Sequence, residues 1–130
     1  MIAVNVTIKK SFDQVKRKAQ QGNFESLNQA AATIRLIARR SIRKRQTAAM
    51  PGNPPHTRQG QLRRSIRYAV DKQRGIAIIG PSFDFIGTAG KAHELGGKFR
   101  KERYPKRPFM GPALEKVKDR LPSMWASRMQ

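Results

Sequence analysis

The chain contains no cysteine and only two histidines. Disulfides and thiolate metal sites are excluded, and two imidazoles with few carboxylates make a poor zinc set. A chain without thiols suits a reducing compartment such as the bacterial cytosol. Acidic side chains are scarce too. Eight Asp and Glu stand against 28 Lys and Arg, a formal net charge of +20. Such a field attracts polyanions and repels copies of the same chain. Nucleic acid, an acidic protein surface or an anionic membrane surface would each satisfy it. Hydrophobic residues make up 38% and aromatics 7%, so the core must be modest. No apolar run approaches the roughly 18 residues that span a bilayer. Met1–Lys10 has a short apolar stretch without a small-residue cleavage site, so no signal peptide is expected.

What is present fits one domain of 130 residues with mixed elements. Ile2, Val4, Val6 and Ile8 alternate with smaller or polar residues, the period of a half-buried strand. Ser11–Gln21 reads as a short helix that Gly22 ends, leaving residues 1–24 peripheral. From Glu25 to about Ala48, Leu27, Ala30, Ala31, Ile34, Ile37, Ala38, Ser41 and Ile42 recur at helical spacing. Arg35, Arg39, Arg40, Arg43 and Lys44 fall on the other side of that helix. No acidic residue lies between Ser26 and Val70, so their counter-charges come from elsewhere in the fold, from a partner or from solvent ions.

Residues 50–60 and 97–106 read as long loops. Three prolines and two glycines punctuate the first, and the second shows no period. Between them, Gln61–Ile66 predicts a helical turn, and Arg67–Lys72 with Gly75–Gly80 predicts a hairpin turning at Gln73-Arg74-Gly75. Pro81–Gly90 reads as a loop, and Lys91–Leu95 as one helical turn. Gly111-Pro112 opens a last helix with Leu114, Val117, Leu121, Met124 and Trp125 on one stripe, which Pro122 should kink or shorten. The expected fold is α+β: a small antiparallel sheet on one long amphipathic helix, with a C-terminal helix.

Motifs for chemistry are sparse. Gly90-Lys91 matches only the end of a phosphate-binding loop, because Phe85 replaces the leading Gly and Ala92 the Ser or Thr. His93-Glu94 lacks the second His of a zinc-protease helix, since Gly97 holds that place. The reading is a non-enzyme without cofactor or metal. Its candidate functional residues are cationic. They are Arg35, Arg39, Arg40, Arg43 and Lys44 on the long helix, Arg58, Arg63 and Arg64 after the proline loop, and Lys98, Arg100, Lys101 and Arg103 in the late loop. Guanidinium grips phosphate or carboxylate bidentately. Phe99 and Tyr104 can stack on bases or fill a neighbour's apolar pocket, and Met124 and Trp125 can anchor a subunit interface.

Three motifs, in order, resemble the tail-completion or neck proteins of tailed bacteriophages. Pro55-His56-Thr57-Arg58-Gln59-Gly60-Gln61-Leu62-Arg63-Arg64-Ser65-Ile66 resembles that family's loop ending in Thr-Gly-x-Leu-Arg-x-Ser-Ile, with Thr57 and Gly60 two residues further apart. Ala92-His93-Glu94-Leu95-Gly96 is similar to its turn of alanine, glutamate, aromatic and glycine, with Leu95 for the aromatic. Arg107-Pro108-Phe109-Met110-Gly111-Pro112-Ala113-Leu114 matches its Arg-Pro-Phe-hydrophobic-x-Pro-Ala-Leu run. With the long helix, the resemblance covers about residues 25–125.

The resemblance implies a structural subunit of a homo-oligomeric ring in the neck or at the top of the tail. Its partners would be other neck and tail proteins, its surface could meet DNA in the channel without sequence preference, and no cofactor or membrane is involved. The competing expectation is a small nucleic-acid-binding protein of the nucleoid- or ribosome-associated type. It accounts for the charge but leaves the three motifs to chance.

Overall fold

The computed structural model describes residues 2–126. Its fold is α+β: helix α1 (Ile2–Ser41), strands β1 (Arg43–Lys44) and β2 (His56–Thr57), helix α2 (Gln61–Ser65), strands β3 (Ile66–Asp71) and β4 (Ile76–Pro81), helices α3 (Phe83–Ile86) and α4 (Ala89–Leu95), strands β5 (Gly97–Phe99) and β6 (Glu102–Tyr104), and helices α5 (Met110–Val117) and α6 (Leu121–Ala126). Three two-stranded sheets result: β1 with β2 in parallel, β3 with β4 and β5 with β6 antiparallel.

The long helix is longer at one end and shorter at the other than its apolar stripe predicts. The Ile2–Ile8 alternation and the expected break at Gly22 both lie inside α1. A short alternating run becomes a strand only where a neighbour accepts its hydrogen bonds, whereas extending an existing helix needs no new nucleus. Gly22 is buried, and Ser26, Ala30, Ile34, Ala38 and Ile42 continue its row at every fourth residue. This i+4 ridge lies against the rest of the fold. Packing along it offsets the roughly 1 kcal/mol that a mid-helix glycine costs. At the other end the helix stops at Ser41, so Arg43 and Lys44 lie on β1 and not on the helix.

The core sits where the second half of α1 meets α2, the β3–β4 hairpin and α5. Ile34, Ala38, Ile42, Leu62, Ile66, Phe109, Ala113 and Val117 form it. The large side chains of Ile42, Ile66, Phe109 and Val117 are fully buried, each contributing about 1.5–3 kcal/mol of transfer free energy. Leu114, expected on the inner stripe of α5, is 45% exposed.

The hairpin pairs Ile66 with Pro81 through Asp71 with Ile76. Its turn is set by Asp71, whose Oδ1 accepts the N–H groups of Gln73 and Arg74 at 3.0 and 3.1 Å, and by Gly75 at φ 68°. Ile66, Tyr68 and Val70 face α1, leaving Ile76 and Ile78 on the open face. Pro81–Gly90 is not a plain loop: it holds α3 and the start of α4. Gly90 is required there, because a Cβ would lie 2.4 Å from Cγ of Pro81.

The late stretch, expected as a long loop, is a β5–β6 hairpin turning at Arg100-Lys101, with Arg100 at φ 56°. Three-residue strands, half of whose residues are charged, leave no alternation to read. The C-terminal stripe breaks as Pro122 predicts. A 3-10 turn at Lys118–Arg120 separates α5 from α6, and Pro122 occupies the first turn of α6, where its missing N–H costs nothing.

Candidate functional site at the meeting of three motifs

Helix α5 begins without a capping side chain of its own. Phe109 holds the N-cap position and has no oxygen to offer the first N–H groups of the helix. Glu94, at the end of α4, fills the gap. Its Oε2 accepts from the backbone N–H of Phe109 at 2.7 Å and of Met110 at 2.9 Å, and its Oε1 from Gly111 at 2.9 Å. A carboxylate at a helix N-terminus also meets the positive end of the peptide dipoles. The glutamate of the second motif is thus the cap of the third.

Arginine ties the remaining pieces together. The backbone N–H of Arg107 donates to the His93 carbonyl at 2.6 Å, and its Nε to the Ala49 carbonyl at 2.7 Å. Arg63 donates Nε to the Ile42 carbonyl at 2.8 Å, and its Nη2 reaches the same oxygen. That oxygen lies just past the end of α1, where carbonyls lack intrahelical partners. Arg35 Nε donates to the Ile66 carbonyl at 2.9 Å, joining helix and hairpin. Thr57 Oγ1 accepts from Gly60 N–H at 3.0 Å and shapes the first motif's loop.

His93 packs its ring against Tyr104 with centroids 4.9 Å apart, and Tyr104 against Phe99 at 5.9 Å. Burial, and then the neighbouring Arg107 guanidinium, hold the His93 pKa below its ordinary value. Its Nδ1 is buried and has no hydrogen-bond partner among the described residues. Among the described residues no group of three His, Asp or Glu is placed to hold a metal ion.

The structure divides the cations marked in the sequence. Arg35 and Arg63 are half-buried and spend donors on backbone carbonyls. Arg64 is exposed and reaches the Gln59 carbonyl at 3.3 Å, and Arg100 lies 5.3 Å from the Phe99 ring centroid. Lys44, Lys98 and Lys101 are exposed, and Arg39 is half-buried. Arg40 and Arg43 border one cleft, Arg58 and Arg103 another. Of the proposed interface residues, Met124 packs against the core, and Trp125 Nε1 donates to Asn23 Oδ1 at 2.8 Å. Phe99 and Tyr104 are half-buried against each other.

Sequence reasoning missed the Glu94 cap. Its signal was the helix opening at Phe109-Met110-Gly111 with no Ser, Thr, Asp or Asn before it, in a chain with very few acids. It also missed the apolar side chains exposed on the outer face of the hairpin and on α3. Ile78 and Phe83 are each 70% exposed, with Ile76 and Phe85 beside them in the chain, and the Arg67 guanidinium covers the Phe85 ring at 4.4 Å.

No protein-family model, curated protein or solved structure matches the chain. Among the described residues, no helix is long and apolar enough to cross a membrane.

Proposed function

We propose that the chain is a structural subunit of a tailed-bacteriophage virion, acting in tail completion or head–tail joining as part of a ring in the neck or at the top of the tail. The observation that carries this reading is the convergence of the three motifs. Glu94 of the second caps the helix that the third opens, Arg107 of the third holds the loop before the first, and Arg63 of the first closes the end of the long helix. Residues that stand far apart in the chain, and that motif for motif resemble one family, serve one interlocked architecture. Their polar atoms are spent on holding loops in place. The exposed apolar outer face of the hairpin supports assembly, since a neighbour would bury it.

The basic clefts favour a second reading, a small nucleic-acid-binding protein. One experiment separates the two. Purified virions of the encoding phage are labelled with antibody against this chain and imaged by electron microscopy. Label confined to the head–tail junction or the top of the tail is expected. Absence of the chain from purified virions would refute the structural reading and promote the second.

A further inference from the structure

A strongly cationic surface surrounds His56, a residue to which the sequence assigned no role. Two strongly basic clefts open beside it. Arg40, Arg43, Lys116 and Arg120 border the first, of about 640 Å³, and Arg45, Arg58, Arg103 and Arg107 the second, of about 520 Å³. His56 lines both, its Nδ1 held 2.9 Å from the Thr47 carbonyl oxygen. The fold brings these side chains together from four places: the end of α1 with β1, the start of the first motif, the β5–β6 hairpin with the residues after it, and the far end of α5. Parallel pairing of β1 with β2 sets Arg43 opposite His56, and Arg45 N–H bonds to the Thr57 carbonyl at 3.1 Å.

We infer that the paired clefts form one track that binds the phosphodiester backbone of nucleic acid without reading its sequence. Among the described residues, Glu102 is the single carboxylate in either lining. The ion pairs Arg74–Asp71 and Lys118–Glu115 leave these arginines out. Eight cations with one acid make a field that a weakly acidic protein surface cannot match. Duplex DNA carries a charge every ~1.7 Å along its axis, and its condensed counterions are released on binding. Seven of the eight cations are arginines, whose planar fork engages two phosphate oxygens at once. Of the cations that the sequence placed on the long helix's outer side, the track takes in Arg40 and Arg43 and leaves out Arg35, Arg39 and Lys44. It rests on the clefts alone and holds whether or not the chain is a virion subunit.

The test uses the whole chain and a fluorescent 20-base-pair duplex, with anisotropy measured from about 50 to 200 mM salt. Arg45, Arg58 and Arg103 are exposed, and among the described residues their guanidinium groups make no hydrogen bond. The triple variant Arg45→Glu/Arg58→Glu/Arg103→Glu is compared with Lys16→Glu/Lys18→Glu/Lys91→Glu, which lowers the net charge equally from exposed positions outside both clefts. The cleft variant should bind at least about tenfold more weakly than the control variant, and its log–log salt slope should flatten by about 2–3. Equal weakening of the two variants would overturn the site, because the field of the whole molecule would then suffice. Displacement of the duplex by poly-glutamate at matched charge would overturn the ligand, pointing to an acidic protein. Circular dichroism checks that both variants fold. Should the cleft triple unfold, Arg58→Glu and Arg103→Glu are read singly, each expected to flatten the slope by about 1 and overturning the site if neither does.

Discussion

The Glu94 carboxylate lies 2.7 Å from the backbone N–H of Phe109, fifteen residues further along the chain, and through its two oxygens closes the open end of α5. One side chain therefore fixes how the C-terminal helix leaves the body of the fold. Replacing it leaves three N–H groups without an acceptor. Glu94→Ala is expected to lower stability by about 2 kcal/mol and the melting temperature by about 5–10 °C. Glu94→Gln keeps one acceptor oxygen and should lose about half as much. Thermal unfolding followed by circular dichroism reads both.

Arg63 makes a comparable closure at the other helix. With Nε and Nη2 both on the Ile42 carbonyl, Arg63→Ala should cost about 1–2 kcal/mol in a urea titration. Arg63→Lys keeps the charge but not the fork, so it recovers only part of that. Arg58→Ala, exposed and bonded to nothing through its guanidinium, should stay within about 0.5 kcal/mol of the parent. Equal costs at Arg63 and Arg58 would mean that charge alone matters, not the bond to the carbonyl.

Much of this was legible before the structure, and the exceptions share a cause. Long-period features survived: the stripe on α1, the β3–β4 hairpin and the break near Pro122 follow from local chemistry that a single segment carries. Ile2–Ile8 misled because two-residue alternation says nothing about whether a strand partner exists. Gly22 misled because helix breaking is a local preference, and the packing that overrides it comes from elsewhere in the fold. Arg63 and Arg35 read as surface charge, since only tertiary structure reveals that a backbone carbonyl waits for each. Arg40, Arg43, Arg58 and Arg103 were marked as cations, but their meeting with the others around His56 was unreadable for the same reason. These cations come from four separate stretches of chain.

His93 gives the fold a pH dependence of known sign. Its folded pKa lies below the ordinary imidazole value, through burial first and the Arg107 charge second. Below that value the unfolded chain binds a proton that the folded chain resists, so stability falls as pH drops. The melting temperature should decline from pH 8 to pH 5, and His93→Gln should flatten that decline. A parent and variant with parallel profiles would remove His93 as the cause.

Gly90 is predicted to be intolerant of any side chain. The added Cβ of Gly90→Ala would meet Cγ and Cβ of Pro81 at 2.4 and 2.7 Å, and a proline ring has little freedom to give way. A loss of about 1–3 kcal/mol is expected by denaturant titration. Gly80→Ala, where nothing lies within 4 Å of the added atom, is the control and should be nearly neutral.

The outward face of the hairpin tests assembly separately from folding. Ile78→Lys places a charge at a position 70% exposed, so the melting temperature should change by less than about 2 °C. If that face seats a neighbouring subunit, the variant should fold normally yet fail to restore infectivity to a phage lacking the gene. Full restoration would move the subunit contact elsewhere on the surface.

The most direct measurement interrupts the gene in its own phage or prophage and examines the induced lysate by negative-stain electron microscopy. The structural reading predicts filled heads lying beside separate, unjoined or misformed tails, with intact particles returning when the gene is supplied in trans. Complete virions in normal numbers from the interrupted genome would contradict it.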